Sequence, residues 1–287
     1  MITYGKSEYV EELKLLWQDT FGDSRRFINS FFANVYNEEN TLVAVEDGHA
    51  VASLYMIPYK MLIGDNAENI VYLYALATDP SYRARGIMSS LIQKSFDISS
   101  ERNYSLSVLI PARESLVEFY RKFGYEYCFN KVMITKSFAY IKKQSTNHKP
   151  IKLTKANAKQ IWNIYKNSIF TSEGSIILSE AQNTFYIEEF EKEGGEAVVF
   201  CDGEKDYYAL LMQAGNEIII YESNIDASVI NQFYATLIEK YHFQSVSFYQ
   251  PICFPDEETK NNRQSFAMAK SFTEVSLKDT FINRVLT

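Results

Sequence analysis

The chain has 287 residues, enough for two domains of ordinary size, and a hydrophobic share of 46% that stocks a core and excludes a disordered chain. A formal net charge of −7 argues against general binding to nucleic acid or to a membrane surface. Three scattered cysteines, Cys128, Cys201 and Cys253, have no CxxC spacing, which excludes a disulfide framework and fits a reducing compartment.

The opening MITYGKSEYVEELK lacks the apolar stretch of a signal peptide. No run of about 18 apolar residues follows, so no membrane span is expected and the chain is expected to be cytoplasmic. Val10, Leu13, Leu16 and Trp17 set helical spacing over residues 7–21. Residues 41–63 read as a hairpin, strands 41–46 and 50–63 about an Asp47-Gly48 turn. NIVYLYALAT, 69–78, is apolar on both alternating faces and predicts a central strand. In regular alternation Ile70, Tyr72, Tyr74 and Leu76 point one way, and Val71, Leu73, Ala75 and Ala77 the other.

A helix over 86–101 and a strand over 105–111 complete a βαβ crossover with parallel strands. A second helix, 113–123, stops at Gly124, and strands near 125–129 and 131–137 close this half. KKQSTNHKP, 142–150, is polar, ends in proline and predicts a linker. Beyond it come three strands with turns at Asp202-Gly203 and Gly215-Asn216, a helix in ASVINQFYATLIEKYH and a strand in SVSFYQP. LIQK before SLSVLIP in the first half matches LIEK before SVSFYQP in the second, a weak internal repeat. The repeat has no counterpart of Arg83-x-Arg85-Gly86 before its helix.

SYRARGIMSSL, 81–91, carries the chemistry. A helix start exposes about four backbone N–H groups without internal partners, and the helix dipole makes that end positive. Gly86 lets backbone approach a ligand closely, and Arg83 and Arg85 add cationic charge. The helix starts just past the C-terminal end of a central parallel strand, where open α/β sheets place their ligands. These features together point to a diphosphate; the plain alternative is a solvated arginine turn with a capping glycine. His49, His148 and His242 are isolated, without HExxH spacing, so no metal site is expected.

YALATDPSYRARGIMSSLI resembles the acetyl-CoA motif of the GNAT superfamily of N-acetyltransferases, with its Gln/Arg-x-x-Gly-x-Gly/Ala loop. FYRKFGYE, 119–126, resembles the later family motif, a helix carrying a tyrosine before a Gly-aromatic turn. The resemblance covers about residues 1–138. With LLWQDTFGDS and the repeat, it extends to the subgroup of enhanced-intracellular-survival acetyltransferases, which carry a second, degenerate GNAT-like domain and a sterol-carrier-like third. No such third domain is expected in this chain, so the hexameric assembly and the terminal general base that depend on it are not carried over.

The implied fold class is α/β: two tandem GNAT-like domains, each a mixed, mostly antiparallel sheet with a parallel splayed central pair and flanking helices. Residues 1–141 would be the acetyl-CoA-binding catalytic domain, and 150–287 the degenerate partner that helps form the acceptor site. By resemblance, Leu76, Ala77 and Thr78 offer backbone groups to the pantetheine arm. Arg83, Ala84, Arg85, Gly86, Ile87, Met88 and Ser89 wrap the pyrophosphate through main-chain amides, and Ser115 touches the pantetheine end. Met88 replaces the small residue usual at the last loop position and is expected to turn inward.

Tyr120 is the expected catalytic acid: at a pKa of about 10 it holds a proton that a departing thiolate, of pKa about 8.5, can take. The alternative is that it only packs. For a general base, Glu222, Glu118, the carboxylate of Thr287 and a water chain all stay open. The implied function is transfer of acetyl from acetyl-CoA, as cosubstrate and without a metal, to an amine of a small molecule or protein. No nucleic-acid or membrane partner is expected, and a homo-oligomer stays open. Two other functions compete: a non-catalytic acyl-CoA-binding sensor or scaffold, and a tandem-GNAT transferase that uses aminoacyl-tRNA. The intact loop and the acidic charge weigh against the second.

Overall fold

The structure, a computed structural model, describes residues 1–168, 174–249, 256–273 and 280–281. Contacts divide it into two units. The first takes Met1–Cys128 and a stretch that returns from the C-terminal end at Ala267; the second takes Phe129–Phe266 and a later short return.

The first unit runs β1 (Ile2–Tyr4), α1 (Val10–Phe21), α2 (Arg25–Asn34), β2 (Thr41–Glu46), β3 (His49–Ile63), β4 (Asn66–Thr78), α3 (Ile87–Glu101), β5 (Leu106–Leu109), α4 (Val117–Arg121) and the start of β6 (Glu126–Ser137). β1 to β4 form an antiparallel meander, and β5 joins β4 in parallel. Asp47 and Gly48 both adopt positive φ, 52° and 85°, the tight turn that matches strand twist in a two-residue hairpin. α2 has no counterpart among the elements that spacing predicts. Ser24 Oγ accepts from the Phe27 N–H at 3.2 Å to start it, and Ile28 and Phe31 bury its inner face.

The sheet is covered on both faces. On one, Trp17 of α1 and Phe31 of α2 pack on Tyr55 and Tyr74, with ring centroids 4.6–5.8 Å apart. Each such pair adds roughly 0.5–1.5 kcal/mol beyond the area it buries. On the other face, Leu54, Met56, Val71 and Leu73 join Leu91 and Ile92 of α3 in a second cluster.

The expected alternation of β4 holds only as far as Tyr74. Tyr55 pairs with Tyr74 and Ser53 with Ala77, so Ala75 and Leu76 together face the single residue Leu54. This β-bulge carries Ala75 at φ 45° and moves Leu76 onto the cluster of Val71 and Leu73, opposite to the regular expectation.

The second unit takes most of β6, then α5 (Phe138–Ser145), β7 (Thr154–Lys155), α6 (Ala158–Ser168), β8 (Ile176–Ile177), α7 (Glu180–Lys192), β9 (Glu196–Cys201), β10 (Asp206–Ala214), β11 (Glu217–Ser223), α8 (Ile230–Lys240), β12 (Ser245–Tyr249) and α9 (Asp256–Asn261). β9, β10 and β11 are antiparallel, and β11–α8–β12 repeats the parallel crossover of β4–α3–β5. Each unit is thus a mixed sheet with flanking helices and a parallel central pair, and in the second the two-residue strand β14 (Thr280–Phe281) also runs parallel to β6.

Three expectations shift. The strands predicted at 125–129 and 131–137 are one strand, β6. The helix predicted over 113–123 is a 3-10 turn followed by the five residues of α4. The unit boundary falls inside β6, not after residue 141. Met133 to Ser137 pair with β12, and Phe138 and Ile141 pack in the second unit's core, so the segment leading into the polar stretch is already committed there.

The last long strand, β13 (Arg263–Ser271), supplies the first unit from far along the chain. Met268 to Ser271 run antiparallel to β5, from Leu109 back to Leu106, and give β5 its second neighbour.

Candidate active site

The two parallel strands of the first unit touch over only three rungs: Ile70 with Leu106, Val71 with Ser107 and Tyr72 with Val108. β4 then continues to Thr78 while β5 ends at Leu109. The bulge at Ala75 and Leu76 lies in this unpaired stretch, and the strands part there. Leu76 and Thr78 are half-buried, and Ala77 is buried. Backbone groups past the last rung have no β5 neighbour, which leaves an edge inside the sheet able to pair with an extended ligand.

The chain turns next at Asp79, whose carboxylate accepts from the Ser81 N–H at 2.8 Å. A 3-10 turn, Pro80–Tyr82, leads into Arg83–Gly86. Both arginines hold the loop itself. Arg83 Nε donates to the Thr78 carbonyl at 3.0 Å, and Arg85 Nη2 to the Ser81 carbonyl at 2.8 Å. The Arg85 guanidinium also lies 4.9 Å from the Tyr82 ring centroid and 3.9 Å from Glu46. By charge alone these side chains would be expected to face a phosphate. Their first partners are carbonyls, so their direct effect is to shape the loop.

Ala84 at φ 61° and Gly86 at φ 79° turn the loop back toward α3. Gly86 is the helix cap, and no side chain caps the first turn of α3. The exposed amides of that turn therefore keep the positive end of the helix dipole open. An anion fits this arrangement by charge and by donor geometry. Ile87 and Met88 are half-buried against the core cluster, Ser89 is half-buried, and Ser115 is exposed in the turn Glu114–Leu116. Met88 faces inward, as a main-chain role for its amide requires.

The second unit's matching crossover ends differently. α8 starts after Val229, and Asp226 accepts from the Ser228 N–H at 3.0 Å while pairing with Lys205 at 2.9 Å. A carboxylate stands near the mouth of that helix, where the first unit has bare amides.

Tyr120, on α4, is 6% exposed. Burial pushes its phenol up to about 12, and its hydroxyl makes no hydrogen bond among the described residues. It is protonated at any physiological pH. Burial also raises Tyr72, Tyr74 and Tyr125, and the charge of an ionised Tyr120 would bear on Tyr72 and Tyr125. Tyr59, Tyr72 and Tyr74 adjoin on the α1/α2 face, with centroids 6.3 and 5.7 Å apart.

The candidate bases are engaged or out of view. Glu118 is ion-paired with Arg121, Glu222 accepts from the Tyr208 hydroxyl, and Thr287, like Cys253, lies outside the described residues. Among the described residues no group of three or more His, Cys, Asp or Glu could hold a metal, and no helix is long and apolar enough to cross a membrane. Sequence reasoning missed Asp79, although Asp-Pro-Ser is a readable turn signal.

Residues 2–128 match the family model described as acetyltransferase (GNAT) domain. No curated protein matches the chain. Among solved structures, a probable N-acyltransferase from Enterococcus faecalis V583 aligns at TM-score 0.76 and 15% identity, over 94% of this chain and 72% of that one. A GCN5-related N-acetyltransferase from Kribbella flavida aligns at 0.73 and 15%, over 94% and 71%. Eis1 from Mycobacterium abscessus aligns at 0.68 and 10%, over 94% and 73%. At such identities the likeness is one of fold, and it spans both units.

Proposed function

We propose, from the match of residues 2–128 to the GNAT acetyltransferase domain, that the protein transfers an acetyl group from acetyl-CoA to an amine of a small molecule or protein. The observation that carries the reading is the uncapped N-terminus of α3, opening beside a strand that has just lost its parallel neighbour. A pyrophosphate fits the first, and an extended amide-bearing arm fits the second. In this reading Leu76, Ala77 and Thr78 offer main-chain groups to the pantetheine. Arg83 to Ser89 hold the pyrophosphate through amides, with the two arginine side chains keeping the loop in shape. Ser115 stands at the pantetheine end. The three scattered cysteines fit a cytoplasmic setting.

Tyr120 serves the leaving group. A thiol ionises near 8.5 and Tyr120 near 12, so complete proton transfer to a solvated thiolate is uphill by about 5 kcal/mol. Tyr120 therefore acts first as a hydrogen-bond donor to sulfur as charge develops there. The same burial raises the basicity of a desolvated thiolate and narrows the gap. The proton moves once the C–S bond has broken.

The test combines thermal shift with thiol release. Acetyl-CoA should stabilise both the parent and Tyr120→Phe. Thiol release on a cognate amine, found from a panel, should fall roughly a hundredfold in the variant. No stabilisation by acetyl-CoA would refute the reading. Stabilisation without release on any amine would leave an acyl-CoA-binding module instead.

A further inference from the structure

A helix of five residues has little stability of its own, so α4 cannot fix the direction of Tyr120 by itself. The chain just after it does part of that work. Gly124 N–H donates to the Arg121 carbonyl at 2.9 Å, and Tyr125 N–H to the Tyr120 carbonyl at 3.4 Å. Gly124 lies at φ 84°. This is the Schellman pattern of nested 5→2 and 6→1 bonds, in which the residues joined by the outer bond also bring their side chains together. Here those residues are two tyrosines: the rings of Tyr120 and Tyr125 meet edge to face, 6.1 Å apart at 72°.

Tyr125 is fully buried, and so is Ser107 on β5; their hydroxyl oxygens are 2.6 Å apart. The Tyr125 ring also lies 5.9 Å from Phe96 of α3. The pair is a polar bond set among Leu109, Val117, Ile92 and other apolar side chains of one cluster. Ser107 is opposite Val71, one rung before the last that joins β4 to β5. The bond therefore ties the Tyr120 turn to the firm end of the divided strands.

We propose that Tyr125 and Ser107 are positioning residues for Tyr120: they fix its hydroxyl relative to the split between β4 and β5. The proposal rests on the role given to Tyr120 above. A bond that served only stability could be replaced by apolar surface without loss of rate, because removing both partners of a buried hydrogen bond leaves nothing unsatisfied.

Ser107→Ala, Tyr125→Phe and the double variant test this, with Tyr120→Phe alongside. Each single change should lower Tm, and the double should regain most of it. The kcat should fall roughly tenfold in all three, while KM for acetyl-CoA stays within about twofold. Amide exchange across residues 117–125 should quicken in all three, a readout that needs no turnover. Recovery of kcat together with Tm in the double variant would overturn the proposal, as would unchanged exchange and unchanged kcat in Ser107→Ala. If Tyr120→Phe turns over as fast as the parent, the acid role of Tyr120 fails, and the exchange data still decide whether the anchor holds the turn.

Discussion

Gly86→Ala separates what the loop costs from what it binds. At φ 79° an alanine carries a penalty of about 1–2 kcal/mol, partly offset because alanine also restricts the unfolded chain by about 0.4–1 kcal/mol. A Cβ built there meets no protein atom within 4 Å, so no steric cost is added. The same loop already holds Ala84 at φ 61°, which shows that a side chain is tolerated in this conformation nearby. The expected loss is therefore about 1 kcal/mol, measured by urea unfolding, or about 3 °C in Tm. The new methyl would stand at the helix mouth, where a phosphate must come within hydrogen-bond reach. Loss of one charge-assisted bond is worth about 1.5–3 kcal/mol, so CoA affinity by calorimetry should fall roughly ten- to hundredfold. Ala84→Gly is the control and should leave affinity within about threefold. Unchanged affinity in Gly86→Ala would refute the assignment of the cap as an anion site. A stability loss above about 3 kcal/mol would refute the claim that the methyl enters open space.

Two other outcomes follow from the same geometry. Arg85→Lys keeps the charge but loses the hydrogen bond to Ser81, so it should weaken CoA as much as Arg85→Ala does; restoration by lysine would mean that charge, not loop shape, is what Arg85 supplies. Stability should also fall on the alkaline side. The unfolded chain releases a tyrosine proton near pH 10, whereas folded Tyr120 keeps its own to about 12, so the folded state binds more protons in between. Its contribution is complete below pH 10 and is lost as pH rises toward 12, by about 3 kcal/mol for this residue. Tyr120→Phe should flatten that part of the pH–stability curve, and an unchanged slope there would contradict the burial of its hydroxyl.

Local chemistry was readable in the sequence, and distant pairing was not. The hairpin at Asp47-Gly48, the helix after Gly86 and the second crossover all announce themselves through turn residues and periodicity within a short window. The shape of the site depends on less visible choices. The bulge requires positive φ at an alanine, a residue that carries no signal for it, and it turns Leu76 to the other face. The two arginines looked like ligands because charge is legible and hydrogen-bond direction is not. Ser107 and Tyr125 are 18 positions apart and meet only when β5 and the turn after α4 pack. Ser24, Ile28 and Phe31 mark α2 in the sequence, but the helix is ten residues long and buries only those two apolar side chains, too short a periodic run to stand out.

The partner of β5 has a consequence for how this chain is made. Leu109 and Met268 pair across roughly 160 residues of intervening sequence, a high-order contact that slows assembly. During synthesis at about 5–20 residues per second, the first unit waits on the order of ten to thirty seconds after β5 emerges before its last strand exists. Through that interval one edge of β5 stands open, a template for pairing with another nascent chain. A fragment cut at residue 141 would carry the loop, the tyrosine and that open edge together, and would be sticky for a reason unrelated to its active site. The first unit is therefore finished by a strand translated long after the rest of it.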